Sequence, residues 1–224
     1  MQEATNHVLG KVTAFIVRQH YAHRELLVFA HPTAGIQVPA GTVEEGETFE
    51  DAVLREAHEE TGLERMRLVK LLAETSYSLK GDRYAFLQAT PLFSEPSLTS
   101  STVDIGYGDG SLFHRGMMVL VQREVEGWSE IVHEEYDLNV SPPTVQFSVR
   151  GWVPSHYLSA RQTRRFFLLT PTLETPAIWE HLAEGRYLFR LYWTPLVPKP
   201  QLMAPQDEWV NSVYTRLLQV PELM

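Results

Sequence analysis

The chain has no cysteine. That excludes disulfides, thiolate zinc sites and thiol nucleophiles. It is also short of positive charge. Nineteen Lys and Arg stand against 28 Asp and Glu, giving a net charge of −9 and a pI near 5.5. So acidic a chain is a poor generic binder of nucleic acid or membrane, because affinity for phosphate polymers rests largely on Lys and Arg. Small phosphorylated ligands stay open, since a metal can hold them. No apolar run approaches the ~18 residues of a membrane-spanning helix. The opening Met-Gln-Glu-Ala-Thr-Asn-His lacks the basic and apolar regions of a signal peptide. A cytoplasmic protein with no membrane partner is expected. The 9 histidines are scattered, without the H-x3-H or H-E-x-x-H spacing of a zinc site. No fixed-period repeat is visible.

What is present suits one large globular domain, or a domain with an addition: 224 residues, 44% apolar and 21% charged. The densest signal lies in residues 41–63. Thr48 is a good N-cap, and Asp51 three residues on makes an acidic capping box. Glu50 and Asp51 suit the positive end of a helix, and Gly62 suits its C-terminal stop. The spacing predicts a helix over Phe49–Thr61. At about 100° per residue, Phe49, Ala52 and Val53 share one face, Glu56 and Glu60 continue it, and Glu59 flanks it. Three carboxylates thus crowd the stripe that should bury, at the helix end where anions are disfavoured. A solvated acidic helix with Arg55 paired to Glu59 is the competing reading. The capping, the inward carboxylates and the flanking Gly41 favour a site for a divalent cation, which takes hard oxygen ligands.

Gly41, Glu47, Arg55, Glu56, Glu59, Glu60, Gly62 and Leu63 satisfy G-x5-E-x7-R-E-U-x-E-E-x-G-U, the Nudix box, at every fixed position. The apolar U positions are Leu63 and Ala57, which is small for its slot. The chain therefore resembles the Nudix hydrolases. Pro39-Ala40-Gly41 resembles the Pro-Gly-Gly that often precedes the box. Trp193-Thr194-Pro195-Leu196 followed by a short helix resembles how many such domains close. The resemblance implies an α/β fold, an α/β/α sandwich with a mixed central sheet. It implies metal-dependent hydrolysis of the pyrophosphate bond in a nucleoside diphosphate linked to another moiety. Mg²⁺ or Mn²⁺ would be held by Glu56, Glu59 and Glu60, with the Gly41 carbonyl as a further ligand. Glu59 and Glu60 would also be catalytic, supported by Glu47 and Arg55, whose fork can clamp a carboxylate in a bidentate pair. The general base is Glu59, or a carboxylate before the closing strand, where Glu174 and Glu180 rank above Glu184. Short substrate signatures for ADP-ribose, dinucleoside polyphosphates, NADH and coenzyme A are not evident downstream.

The rest of the chain reads mainly as β. Strands are predicted at residues 12–17, 26–30, 67–76, 83–90, 117–125, 131–138, 145–153, 166–169 and 187–195, and an amphipathic helix at 206–218, with Trp209, Val213, Leu217 and Leu218 on one face. Residues 93–111, rich in Ser, Thr, Gly and Asp, read as a long loop adding little core. The expectation is one Nudix domain over 1–224 with a β-rich insertion at about 93–162. A β extension needs cover, so a homodimer is expected, each copy covering the other. A catalytically silent nucleotide-binding or sensor module is an alternative, but none of the box glutamates is lost. RNA 5′-end hydrolysis has only Arg161, Arg164 and Arg165 in its favour, against the net charge. A diphosphate isomerase of this fold uses a cysteine, which the chain lacks.

Overall fold

In the computed structural model the described residues are 8–32, 34–106, 112–137, 142, 144–183 and 187–219. The chain runs β1 (Leu9–His20), β2 (His23–His31), β3 (Gly35–Gln37), β4 (Ala40–Thr42), α1 (Phe49–Thr61), β5 (Met66–Ser78), β6 (Arg83–Phe86), β7 (Leu92–Phe93), β8 (Thr102–Val103), β9 (Met118–Val125), β10 (Trp128–Asp137), β11 (Thr144–Pro154), β12 (Leu158–Ser159), β13 (Arg161–Pro171), β14 (Ile178–Ala183), β15 (Tyr187–Pro195) and α2 (Gln206–Leu218). It divides into two compact units, Gly10–Thr75 with Arg164–Met224, and Met1–Leu9 with Ser76–Thr163.

In the first unit, β1, β2 and β13 each carry an unbroken apolar run, Ala14 to Val17, Leu26 to Ala30 and Phe166 to Leu169, rather than an alternating pattern. Such strands need cover on both faces. The sheet order is β14-β15-β2-β1-β13-β5, with β3 on β2 and β4 on β1. Val12, Ala14, Ile16, Leu27, Phe29, Phe167 and Leu169 pack with Ala52, Val53 and Ala57 of α1. Their neighbours Phe15, Val17, Leu26, Val28, Phe166 and Leu168 pack with Val210, Val213 and Leu217 of α2. The result is the expected α/β/α sandwich. On α2, Val210 takes the core position expected of Leu218, which is exposed.

The second unit has its own sheet, ordered β12-β6-β9-β10-β11-β7-β8, and its own core of Phe86, Leu92, Ile105, Phe113, Val119, Ile131, Val149 and Val153. β9 and β10 form a two-residue hairpin. Glu126 and Gly127 both take positive φ, 49° and 83°, between the paired Val125 and Trp128. Such a turn matches the twist of the strands it joins. This unit begins at Ser76, earlier than the expected residue 93, because β6 and β12 pair within it. Of the stretch expected as a loop, the described residues 93–106 contribute core and a strand pair. Phe93 and Ile105 are buried, and β7 pairs with β8. Residues 107–111, Leu138, Ser141, Pro143 and Glu184 lie outside the described residues. Among the described residues no helix is long and apolar enough to cross a membrane.

Candidate active site

The site is built where β4 lies against α1. α1 starts as its sequence dictates: the Thr48 hydroxyl accepts the Asp51 N–H at 3.1 Å and donates to the Asp51 carboxylate at 2.7 Å. It stops at Gly62, which takes φ 72° and returns its N–H to the His58 carbonyl at 2.8 Å. β4 pairs antiparallel with β1, Gly41 opposite Val12. Backbone N–H groups on either side of Gly41 reach the helix. Thr42 N–H donates to Glu56 at 3.0 Å, and Ala40 N–H to Glu60 at 3.0 Å. Gly41 lies directly over the Glu56 carboxylate. A Cβ there would fall 1.9 Å from Glu56 Cδ and 2.0 Å from one of its oxygens. Only glycine lets the strand settle onto the acid.

Arg55 ties the cluster together. Its Nε and Nη2 donate to the two oxygens of Glu47, each at 2.9 Å. Nη1 donates to Glu56 at 3.0 Å and to Glu59 at 2.9 Å, and Nη2 also to the Thr42 carbonyl at 2.9 Å. The planar fork makes this geometry available to Arg and not to Lys. The bonds from Arg55 hold the Glu47 carboxyl below its usual range, and the bond to Glu47 in turn raises the Arg55 pKa further. Glu56 goes the other way. Burial pushes its carboxyl up, against the pull of Arg55 and the Thr42 N–H. Glu59 is the open member, its side chain 45% exposed.

The far end of α1 is held by β14. Trp179 Nε1–H donates to the Thr61 carbonyl at 2.8 Å, and His181 Nε2 lies 3.0 Å from the Glu59 carbonyl. A carbonyl only accepts, so His181 carries its hydrogen on Nε2 in this contact. These two residues cap the carbonyls that a helix end leaves unmatched.

The structure thus brings Gly41, Glu47, Arg55, Glu56, Glu59 and Glu60 together. It places Glu174 and Glu180 elsewhere. Glu180 is in a strand, β14, rather than a loop. It alternates away from Trp179 and His181 and stands opposite Arg190. Glu174 lines a cavity of about 420 Å³ with Arg18, His20 and Thr175. Arg18 is six residues along β1 from Val12, about 20 Å at strand rise. The three arginines do not form a basic patch either. Arg165 pairs with Glu74 at 2.5 Å, while Arg164 is buried on the other face, 3.9 Å over Trp209. Sequence reasoning missed the parts played by Ala40, Thr42, Trp179 and His181.

Among the described residues no three acidic or histidine side chains converge as a finished metal cage. Here Arg55 and the β4 backbone hold the carboxylates. The donor set nonetheless fits a divalent cation. All donors are hard oxygens, one is a buried carboxylate whose charge lacks the solvation of water, and a side-chain-free backbone lies over it.

Residues 10–96 match the NUDIX domain. The chain carries a Nudix domain. No curated protein matches it. The match covers β1 to α1 and runs on to residue 96, while the unit around α1 resumes at Arg164. A Nudix domain is that of a hydrolase of pyrophosphate bonds, and the family generally works with a divalent metal ion.

Proposed function

We propose that this Nudix protein hydrolyses the pyrophosphate bond of a nucleoside diphosphate linked to another moiety, with Mg²⁺ or Mn²⁺ held by Glu56, Glu59, Glu60 and the Gly41 carbonyl. The observation that carries the reading is Gly41 pressed onto the buried Glu56 carboxylate. When bound, the cation offsets phosphate charge and lowers the pKa of the attacking water. The chain's own residues do the positioning that phosphoryl transfer depends on. Glu47 anchors Arg55, Arg55 sets the rotamers of Glu56 and Glu59, and β4 fixes Glu60. Glu59 has the exposure to take the water proton. Water oxygen bonds to one phosphorus, the bridging P–O bond breaks, and the departing phosphate keeps the electron pair.

A panel of nucleoside triphosphates, ADP-ribose, NADH, dinucleoside polyphosphates and a 5′-triphosphate RNA, with and without Mg²⁺, tests this. One small nucleotide derivative should be cleaved at its pyrophosphate. Chelation should abolish turnover, and Glu60→Gln should cost about 10²-fold or more. Full activity in Glu56→Gln, Glu59→Gln and Glu60→Gln together would overturn the assignment.

The partner in this reading is a second copy of the chain. Ile178, Leu182 and Leu188 are 55%, 55% and 53% exposed on one face of β14–β15. They flank Glu180 opposite Arg190, and a two-fold axis could pair these charges across copies. Light scattering on the wild type should give a dimer and on Leu182→Glu a monomer. A wild-type monomer at micromolar concentration would remove the dimer.

A further inference from the structure

β3 pairs with β2, whereas β4 pairs with β1. Between them, at Val38 and Pro39, the chain steps from one strand's edge to the next. Pro39 has no N–H, and its carbonyl accepts from Ala14 N–H at 2.8 Å. Val38 is fully buried, and a buried backbone N–H and C=O must find partners. Both partners come from one side chain 168 positions away. Val38 N–H donates to Gln206 Oε1 at 2.7 Å, and Gln206 Nε2 donates back to the Val38 carbonyl at 3.2 Å. Gln206, the first residue of α2, is itself only 7% exposed. Its amide plays the part of a neighbouring strand, donating and accepting across one residue. Met203 N–H adds a bond to the Ile36 carbonyl at 2.9 Å.

Beyond Val38 the chain becomes the wall of the active site. Two residues on, Ala40 N–H holds Glu60. Three on, Gly41 covers Glu56. Four on, Thr42 N–H holds Glu56. We propose that Gln206 is a positioning residue of the metal site. By pairing with both polar groups of the Val38 backbone, it sets the height of β4 over α1, and so the approach of the Gly41 carbonyl and the Glu60 carboxylate to the cation. This rests on the reading of Glu56, Glu59, Glu60 and Gly41 as the metal ligands. Only a side-chain amide of this length meets both demands. A carboxylate cannot donate to the carbonyl, a thioether or alkyl chain does neither well, and Asn is one carbon shorter.

The experiment uses the full chain with Mn²⁺ alone as probe, its free concentration read by electron paramagnetic resonance. Gln206→Met and Gln206→Glu are compared with wild type and with Glu60→Gln, and thermal melts establish folding. Gln206→Glu keeps the shape and the bond from Val38 N–H, so it carries the test if Gln206→Met does not fold. The Mn²⁺ dissociation constant should rise about 10-fold or more in the Gln206 variants, the usual size of an effect relayed through a ligand's support. Amide exchange at Val38 and Ala40 should quicken. A folded Gln206 variant with a lowered melting temperature but wild-type Mn²⁺ affinity, beside a Glu60→Gln that has lost it, would overturn the proposal and leave the ligand assignment standing. Wild-type affinity in Glu60→Gln as well would overturn both.

Discussion

Gly41 is required by shape more than by backbone freedom. Its φ is one that any residue can adopt, yet a methyl group there lands on the Glu56 carboxyl. Gly41→Ala must therefore push β4 off α1 or turn Glu56 out of place. The expected outcome is a folded protein whose Mn²⁺ affinity and turnover fall at least 10-fold, measured by titration and by assay on whichever substrate the panel identifies. Glu47 makes a different prediction, because its carboxylate bonds to Arg55 and to the Glu44 N–H of its own loop. Its carboxyl is held low in the folded state, so its pairing stabilises the fold above the ordinary carboxylate range, and that contribution is lost as pH falls through the depressed folded value. Glu47→Gln should melt below wild type at neutral pH, and the gap should close on acidification. A gap that persists at low pH would show that the loss is one of packing. The box residues were legible in the sequence because their partners are near: Glu47 is eight residues from Arg55, and Glu59 is four. Trp179 and His181 sit 118 and 122 positions from the carbonyls they hold. No local pattern marks such pairs.

At the scale of elements, the bounds of α1 and α2 could be read to the residue, α1 from capping and helical spacing and α2 from spacing alone, because these signals are local. Gly62 illustrates the capping: a left-handed φ of 72°, with the His181 ring 2.7 Å from where a Cβ would stand. Gly62→Ala should cost about 1–2 kcal/mol from the backbone alone, more if the ring must leave the Glu59 carbonyl. A fall of several degrees in melting temperature checks it; an unchanged value would mean that the helix end relaxes freely. β14 was not legible. Trp179 and Ala183 face α1 while Ile178 and Leu182 face out, so apolar residues fall on both sides and the period of two is erased. β7 and β8 were hidden for another reason. At two residues each they are too short to show any period.

At the scale of the molecule, an α/β/α unit is interrupted in sequence by a second unit with its own sheet and core. Most of the long strands were readable; their division into two sheets was not, because alternation tells which side of a strand is covered and not by what. The interruption leaves and returns at adjacent points. Leu79 N–H donates to the Ala160 carbonyl at 2.6 Å, Tyr77 donates to Gln162 at 2.9 Å, and Ser76 bonds to Thr163 at 2.7 Å. Replacing everything between Leu79 and Ala160 by an Asn-Gly turn should thus leave a chain that folds and binds Mn²⁺, as circular dichroism and titration would report. Loss of folding would make the inserted unit an obligatory part of the core. The same closeness bears on how the protein reaches its fold. β5 and β13 are neighbours in the sheet, yet Tyr77 and Gln162 are 85 positions apart. Bringing such distant strands together from an open chain costs loop-closure entropy and slows folding. If the inserted unit collapses first, it delivers the two strands side by side, and a remote pairing becomes a local one. Truncating its core at Ile131, a residue with no exposed surface, would then slow the refolding of the β14-β15-β2-β1-β13-β5 sheet even though Ile131 packs in a different core.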